Sequence, residues 1–190
     1  MIPMFSFSAR VWFYDNGTWL IIVSAIIAIT LMCTLICVRS LARKVPTNYI
    51  LLTIFTLAES ILVAYACASV QDRLIVLQAA VMTAGITVAL TIYAMTTKTD
   101  FTVCWGMVWV LCFSLFFFAI FAFISGSEFA YKVYCLLGVL AGGLYILIDT
   151  QLIMGGKSWQ LSEDEYIVGA MILYIDIIYL FLKLLALLRR

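Results

Sequence analysis

Three acidic side chains lie inside long apolar stretches of this sequence: Glu59, Asp149 and Asp176. An ionisable side chain at membrane depth costs roughly 2.5 kcal/mol or more on insertion scales, so each of these acids is a candidate functional residue. The chain contains no histidine, which excludes Ser-His-Asp and Cys-His nucleophile pairs and any histidine-ligated zinc or haem. Any proton chemistry must therefore use carboxylates.

Asp149 and Asp176 occur on two successive apolar segments, on either side of a polar connection centred near Gln160. In an antiparallel hairpin their depths would differ by about five residues, or ~7.5 Å, a gap that helix tilt or an irregular connection would close. Two carboxylates that meet in a low dielectric share a proton and titrate as a coupled pair. The two aspartates are thus predicted to form a pH sensor. The alternative is two separate protonated acids, each hydrogen-bonded to a neighbouring Thr or Tyr.

The residues around the two aspartates indicate that both acids face a neighbouring helix. Gly138 and Gly142 form a G-x-x-x-G pair, which allows close helix approach. Asp149 lies seven residues beyond Gly142, on nearly the same face of its helix. Asp176 and Lys183 are also seven residues apart and share a face of the last segment. Both acids are therefore predicted to point inward.

Glu59 is the third candidate, near the middle of its own apolar segment. Thr56 and Ser60 lie on the same side of that segment, so the three side chains are predicted to line a polar path. A buried acid bonded to a hydroxyl explains the pattern equally well.

A polar motif precedes the last apolar segment. Ser162 and Glu165 have the S-x-x-E spacing of a capping box, in which each side chain bonds a free backbone N–H at a helix start. Glu165 is therefore predicted to be structural.

The elements that must position these acids are membrane helices. Apolar residues make up 66% of the 190 residues and charged residues 11%, against roughly 45–50% apolar residues in a soluble domain. A helix of ~20 residues crosses ~30 Å of hydrocarbon, and long apolar runs occur at 18–38, 48–70, 74–95, 101–124, 133–154 and 166–188. The sequence predicts an all-α polytopic membrane protein, a helical bundle of about six membrane segments. A short polar N-terminal segment (1–17) is followed by a single transmembrane domain (18–190).

The basic residues do not decide the orientation of a six-pass bundle, because they are almost equally divided between its two sides. If the last segment enters and leaves on one side, Lys183, Arg189 and Arg190 lie on the opposite side of the membrane from that in the six-pass bundle. The basic residues are then divided eight against three between the two sides, which is a clear bias. The last segment is therefore either a full crossing or a re-entrant helix. Both topologies stay open at this stage.

The net charge argues against a nucleic-acid-binding protein, and the cysteine spacing argues against a disulfide framework or a cysteine-ligated metal site. The net charge of +1 offers no basic stripe to a nucleic-acid backbone, so no nucleic-acid partner is expected. The six cysteines have neither disulfide-framework nor C-x-x-C metal spacing and are predicted to pack as small apolar side chains.

Longer motifs around these residues resemble those of a known family. They are GLYILIDTQLIMGG at 143–156, LYIDIIYLF at 173–181 and RKVPTNYILL at 43–52. These runs resemble the signature of the Bax inhibitor-1 family, in its Lifeguard and Golgi anti-apoptotic branch, and the resemblance covers nearly the whole chain.

The resemblance implies a protein of the endoplasmic reticulum or Golgi membrane that leaks Ca²⁺ in a pH-sensitive way and inhibits apoptosis. It implies no enzymatic activity and no cofactor, Ca²⁺ being the transported ion. By position, Asp149 and Asp176 match the family's two-aspartate sensor and would be transient Ca²⁺ ligands. Arg39 or Arg43 matches the arginine that latches the aspartates in the closed state, and Glu59 is a candidate pore-lining residue. The implied partners are the lipid bilayer, Ca²⁺ and membrane proteins of cell-death or calcium-release pathways.

Two other functions compete with the channel. Members of the family usually have one more apolar span before the segment at Thr18, so the chain is expected to lack that span. This favours, as an alternative, a non-conducting membrane scaffold that regulates cell death through protein partners. An intramembrane aspartyl protease also uses two aspartates, but its G-x-G-D motif is absent before Asp176, and the prolines, Pro3 and Pro46, do not form its P-A-L motif.

Overall fold

The computed structural model describes residues 7–70 and 72–189, with the backbone alone for residues 7–16, Trp105 and Glu163. Its helices are α1 (Phe7–Cys37), α2 (Arg39–Arg43), α3 (Thr47–Ala68), α4 (Arg73–Thr96), α5 (Trp105–Ser125), α6 (Glu128–Met154) and α7 (Tyr166–Leu188). Single 3-10 turns, Thr102–Cys104 and Glu163–Glu165, precede α5 and α7. No strand occurs within these described ranges, and the predicted all-α class is confirmed.

Six of the helices are long and apolar enough to cross a membrane. They match the six predicted runs to within a few residues at most ends, which confirms the prediction of a polytopic helical membrane protein. α1 differs, because its helical backbone begins at Phe7, well before the apolar run from Thr18. Residues 1–6 of the predicted N-terminal segment lie outside the described residues. α7 is continuous from Tyr166 to Leu188 and has the length of a full crossing, while its topology stays a prediction.

Local chemistry sets the turns on either side of α6. Gly126 ends α5 with a φ of 59°, a left-handed conformation that glycine adopts without a Cβ clash. Ser127 then caps α6, because its side chain accepts a hydrogen bond from the Ala130 N–H at 3.4 Å. Gly155, with a φ of 74°, ends α6 at its other end. The short link makes α5 and α6 antiparallel neighbours in contact.

The chain divides into two compact units, of which the first comprises Met1–Val76 and Glu163–Met171. Within it α1 packs along α3, and the short α2 packs against the 3-10 turn before α7. Leu35, Phe55 and Ile167 are almost fully buried apolar side chains of this unit. This unit thus contains α2 and the first residues of α7.

The second unit comprises Leu77–Ser162 and Ile172–Arg190. α6 is its most buried helix: 44% of its apolar window is buried, against 6% for α5. Ile146, Leu180 and Leu184 are among its most buried apolar side chains. α6 is therefore the central helix of this unit, and it carries Asp149.

Several hydroxyl side chains on the helices bond to their own helix. A hydroxyl donates to the backbone carbonyl four residues earlier, at 2.7–2.9 Å, in Thr30, Thr34, Thr53, Thr56, Ser60, Thr83 and Thr96. This back-bonding is common for Ser and Thr in membrane helices. The donors of these hydroxyls are therefore already used within the helix.

Candidate functional site

The carboxyl groups of Asp149 and Asp176 lie within hydrogen-bonding reach of each other. Asp149 is half-buried on α6, and Asp176 on α7 is only 8% exposed. An ionised carboxylate has no hydrogen to donate, so a hydrogen bond between two carboxyls requires a proton on one of them. The structure thus brings together the two acids singled out in the sequence, while their role as a pH sensor stays a prediction.

The connection between α6 and α7 is not the simple hairpin assumed when the depths of the two acids are compared. It is irregular, because the Leu161 N–H donates to the Leu152 carbonyl at 3.0 Å. Leu161 therefore lies back beside the last turn of α6. Counting residues from Gln160, as for a simple hairpin, does not measure the depth of either acid.

Two buried oxygens of α7 and α6 have no hydrogen-bond partner among the described residues, Asp176 Oδ2 and Thr150 Oγ1. Thr150 directly follows Asp149 on α6. A buried polar atom without a partner costs about 1–3 kcal/mol, so it calls for a functional or structural explanation. Carboxylate and hydroxyl oxygens are also the hard ligands that Ca²⁺ prefers.

The described side chains do not assemble a closed metal site. No group of three or more His, Cys, Asp or Glu side chains lies close enough to hold a metal ion in the described part of the chain.

Small residues on α6 allow α7 to approach closely beside the acids. A Cβ atom placed on Gly138 would lie 2.7 Å from the Lys183 Cδ, and one on Gly142 would lie 3.1 Å from the Tyr179 ring. Both distances are tighter than normal packing, so larger residues would push the helices or these side chains apart. The predicted close approach at the G-x-x-x-G pair is confirmed.

Tyrosine side chains continue the polar surface from the two acids along α6 and α7. The Tyr145 and Tyr179 rings are 6.2 Å apart, centroid to centroid. The Tyr145 hydroxyl contacts the Cys112 Sγ of α5 at 3.0 Å, so this cysteine has a polar contact besides its packing role. Further along, the Lys183 ammonium lies 3.7 Å from the centroid of the Tyr134 ring and 5.2 Å from that of Tyr179.

Gln151 fixes the end of α6 that carries Asp149. Its side chain is buried, and its Oε1 accepts the Phe101 N–H at 2.9 Å. Its Nε2 donates to the Thr99 carbonyl at 3.0 Å and to the Ala94 carbonyl at 3.4 Å. One amide therefore ties α6 to the end of α4 and to the segment that follows it.

Lys157 ties the α6–α7 connection to the same segment. Its Nζ donates to the backbone carbonyls of Thr97, Lys98 and Thr99 at 3.2–3.3 Å. An ammonium group has three hydrogens, and three acceptors surround this one. Lys157 thus satisfies three backbone carbonyls of the segment that follows α4.

Asp100 forms a second link between these two connections. Its Oδ1 accepts the Thr102 N–H and hydroxyl, and its Oδ2 accepts the Ser158 N–H at 2.9 Å. The hydrogen bonds from Thr102 and Ser158 stabilise the ionised form and hold the pKa of the Asp100 carboxyl well below its usual range. The ionised carboxylate is therefore part of the folded connection.

In the first unit, Arg39 and Arg43 meet Glu165. The Arg43 Nη2 lies 3.0 Å and the Arg39 Nε lies 3.5 Å from the Glu165 Oε1. Nearby, the buried Asn48 donates from Nδ2 to the Ala42 carbonyl at 3.2 Å and to the Tyr166 hydroxyl at 3.3 Å. These contacts hold α2 against the start of α7. Glu165, predicted from the capping-box spacing to have a local structural role, is the partner of both candidate latch arginines.

Glu59 is half-buried on α3. The hydroxyls of Thr56 and Ser60, which share its side of the helix, donate to their own backbone. They are therefore not free donors for a path beside Glu59, and the pore-lining role stays a prediction.

Sequence reasoning missed several residues of this site. Tyr145 lies four residues before Asp149, and Tyr179 lies three residues after Asp176. Both spacings place a side chain on the same helix face as the acid, and that signal was available. Gln151 and Lys157 gave no comparable signal, because their partners are backbone groups of another connection.

The chain matches a family model described as "Inhibitor of apoptosis-promoting Bax1" over residues 2–190. It is 32% identical to protein lifeguard 3 of Mus musculus over 186 residues, which are 95% of this chain and 60% of that protein. It is 33% identical to protein lifeguard 3 of Homo sapiens over 151 residues, 77% of this chain and 48% of that protein. Protein lifeguard 4 of Mus musculus is 38% identical over 148 residues, 74% of this chain and 57% of that protein.

The chain thus spans about half to three fifths of the length of these curated relatives. The family model, in contrast, matches almost every residue, and the six long apolar helices are those of an integral membrane protein in contact with the lipid bilayer. The chain belongs to the Bax inhibitor-1 family, the inhibitors of apoptosis-promoting Bax1.

Proposed function

We propose that this chain is a pH-sensitive Ca²⁺ leak channel of the endoplasmic reticulum or Golgi membrane that restrains cell death. The observation that carries the proposal is the close pairing of the Asp149 and Asp176 carboxyls inside membrane-spanning helices. The membership of the chain in a family named for inhibiting apoptosis supports the cellular role.

The shared proton is the gating element in this proposal. While one proton joins the two carboxyls, α6 and α7 are held together at this depth and the acids do not carry two adjacent negative charges. A change in protonation breaks the link between the helices. The freed carboxylate oxygens then offer a passing Ca²⁺ ligands that replace part of its hydration shell.

The two candidate latch arginines act on the gate through α7 in this proposal. Arg39 and Arg43 both bind Glu165, the residue directly before α7, and Asp176 lies further along that continuous helix. Holding the start of α7 limits how far the helix can shift when the carboxyl pair opens. Glu59 on α3 is proposed as a further acid lining the cation path.

The test is Ca²⁺ flux into liposomes that contain the purified chain, measured with an internal dye between pH 5 and pH 8. Asp149→Asn and Asp176→Asn are the informative variants, because an amide keeps the hydrogen bond to the remaining acid but has no proton to release near neutral pH. We expect both variants to lose the pH dependence of the flux. Glu128→Gln is the matched control, since it removes an exposed carboxylate that pairs only with Lys132 among the described salt bridges.

Two results would contradict the proposal. Unchanged flux and pH dependence in both Asn variants would remove the aspartates from the gate. A folded wild-type chain that passes no Ca²⁺ at any pH would instead favour the non-conducting scaffold, especially if the chain forms stable complexes with other membrane proteins.

A further inference from the structure

Lys183 is a charged residue on α7 that the proposed gate does not use. Its ammonium lies over the Tyr134 ring at 3.7 Å and near the Tyr179 ring at 5.2 Å. None of the salt bridges between described residues involves it. Its positive charge is therefore held by aromatic faces, which attract a cation without neutralising it.

The side chain of Lys183 lies between α6 and α7. Its methylene stem occupies the space beside Gly138, where a Cβ would come within 2.7 Å of the Lys183 Cδ. A lysine near a helix end often extends its amine along the lipid towards the headgroups. The contacts of Lys183 with Tyr134 and Gly138 of α6 place it against the neighbouring helix instead.

Lys183 is also aligned with the carboxyl pair. It lies seven residues after Asp176, which is two turns on the same face and ~10.5 Å along the axis. The Lys183 stem passes Gly138, and its ammonium ends over Tyr134, which is four residues further from Asp149 on α6. The rings of Tyr145 and Tyr179 lie between the two levels. Polar side chains thus follow the α6–α7 contact from the two acids to one fixed positive charge.

We propose that Lys183 is a charge barrier that limits cation flux along the α6–α7 contact, an inference that rests on the channel function proposed above. A cation leaving the carboxyl pair in this direction meets an un-neutralised ammonium. The Coulomb energy between two charges scales with their product, so the barrier for Ca²⁺ is twice that for K⁺ at the same position. Lys183 thereby sets both the rate of the leak and its preference between monovalent and divalent ions.

The experiment compares Ca²⁺ and K⁺ leaks in liposomes containing the wild-type chain, Lys183→Met or Lys183→Arg. Met keeps most of the stem beside Gly138 and removes the charge, whereas Arg keeps the charge. Because a rate depends exponentially on its barrier, the rise in Ca²⁺ leak should be about the square of the rise in K⁺ leak. We expect Lys183→Met to raise the Ca²⁺ leak about tenfold and the K⁺ leak about threefold, and Lys183→Arg to stay near wild type.

Lys132→Met is the matched control, since it removes a lysine from the surface of α6 whose partner is the exposed Glu128. It should change neither leak. Lys183→Gln is a second neutral variant in case the Met side chain prevents folding, and a single size-exclusion peak with an unchanged melting temperature is the criterion for a folded chain.

Different failures have different meanings. If the wild-type chain leaks Ca²⁺ and both neutral variants leak it at the same rate, the charge barrier is wrong but the proposed channel function stands. Equal increases for Ca²⁺ and K⁺ also overturn the barrier, because they indicate loosened helix packing. No Ca²⁺ leak at any pH in the wild type and in all variants overturns the channel function, and the barrier with it.

Discussion

Replacing Gln151 by methionine should destabilise the second unit, because this side chain makes bonds that a thioether cannot replace. The change preserves volume but removes the acceptor for the Phe101 N–H and the donor to the Thr99 carbonyl, at 2.9 and 3.0 Å. Thr99 keeps Lys157 as a donor, whereas the Phe101 N–H and the Ala94 carbonyl lose the partner that Gln151 gives them. One unsatisfied N–H costs about 1–3 kcal/mol and one lost hydrogen bond about 1 kcal/mol, which gives a loss of about 2–4 kcal/mol.

The loss should appear as a lower melting temperature of the detergent-solubilised chain, followed by tryptophan fluorescence. For a protein of this size about 1 kcal/mol corresponds to about 2–4 °C, so we expect a shift of about 4–15 °C. Gln160→Met is the matched control, because Gln160 is exposed and its Oε1 accepts one N–H, that of Gly156. If Gln151→Met melted within about 1 °C of Gln160→Met, the hydrogen bonds of Gln151 would not determine the stability of this connection.

Three further predictions concern the connections and the helix contacts. Folding lowers the pKa of Asp100, so its ionised form stabilises the protein fully above the unfolded pKa of about 3.9 and less as the pH falls below that value. The difference in melting temperature between wild type and Asp100→Asn should therefore shrink from pH 7 to pH 3. A difference that stays constant with pH would contradict this. A double-mutant cycle of Arg43→Gln and Glu165→Gln, measured by chemical unfolding, should give a coupling energy of about 1 kcal/mol at most. The reason is that the Arg43 side chain is 42% exposed, so solvent screens the ion pair. A coupling of several kcal/mol would indicate an ion pair shielded from water. Gly142→Ala should lower the melting temperature, because the new Cβ would lie 3.1 Å from a carbon of the Tyr179 ring. Gly85→Ala, with no atom within 4 Å of the new Cβ, should raise stability by up to about 1 kcal/mol through helix propensity. Equal effects of the two substitutions would mean that α6 and α7 can separate without cost.

The positions of the six long helices could be predicted because the bilayer requires each spanning backbone to satisfy its own hydrogen bonds over a fixed apolar length. The start of α1 could not, since hydropathy does not distinguish a helix from a loop once residues such as Arg10 and Asp15 appear. The inward faces of Asp149 and Asp176 were predictable from helical spacing. Their close pairing was not, because residue counting assumes a simple hairpin and the connection is irregular, with Leu161 bonded back to Leu152.

The partners of Arg39 and Arg43 were also beyond sequence reasoning. Glu165 lies 122 positions after Arg43 in the chain, and no local spacing links residues so far apart. The capping-box pattern predicted a nearby backbone partner for Glu165. The fold also places α2 beside this carboxylate, so tertiary packing adds partners that local spacing does not predict.

The hydroxyls that bond to their own helix leave α1 without a polar stripe to fix its angle about its axis. Thr30 and Thr34 both donate inside the helix, so the lipid meets a nearly uniform apolar cylinder along this stretch. Rotation and vertical sliding of such a helix change its contact with lipid very little. Its rotation is therefore set by packing against α3, where Ala28 and Leu35 are almost fully buried, and its depth by the exposed Trp19 and by Arg39, just beyond the helix, on Glu165.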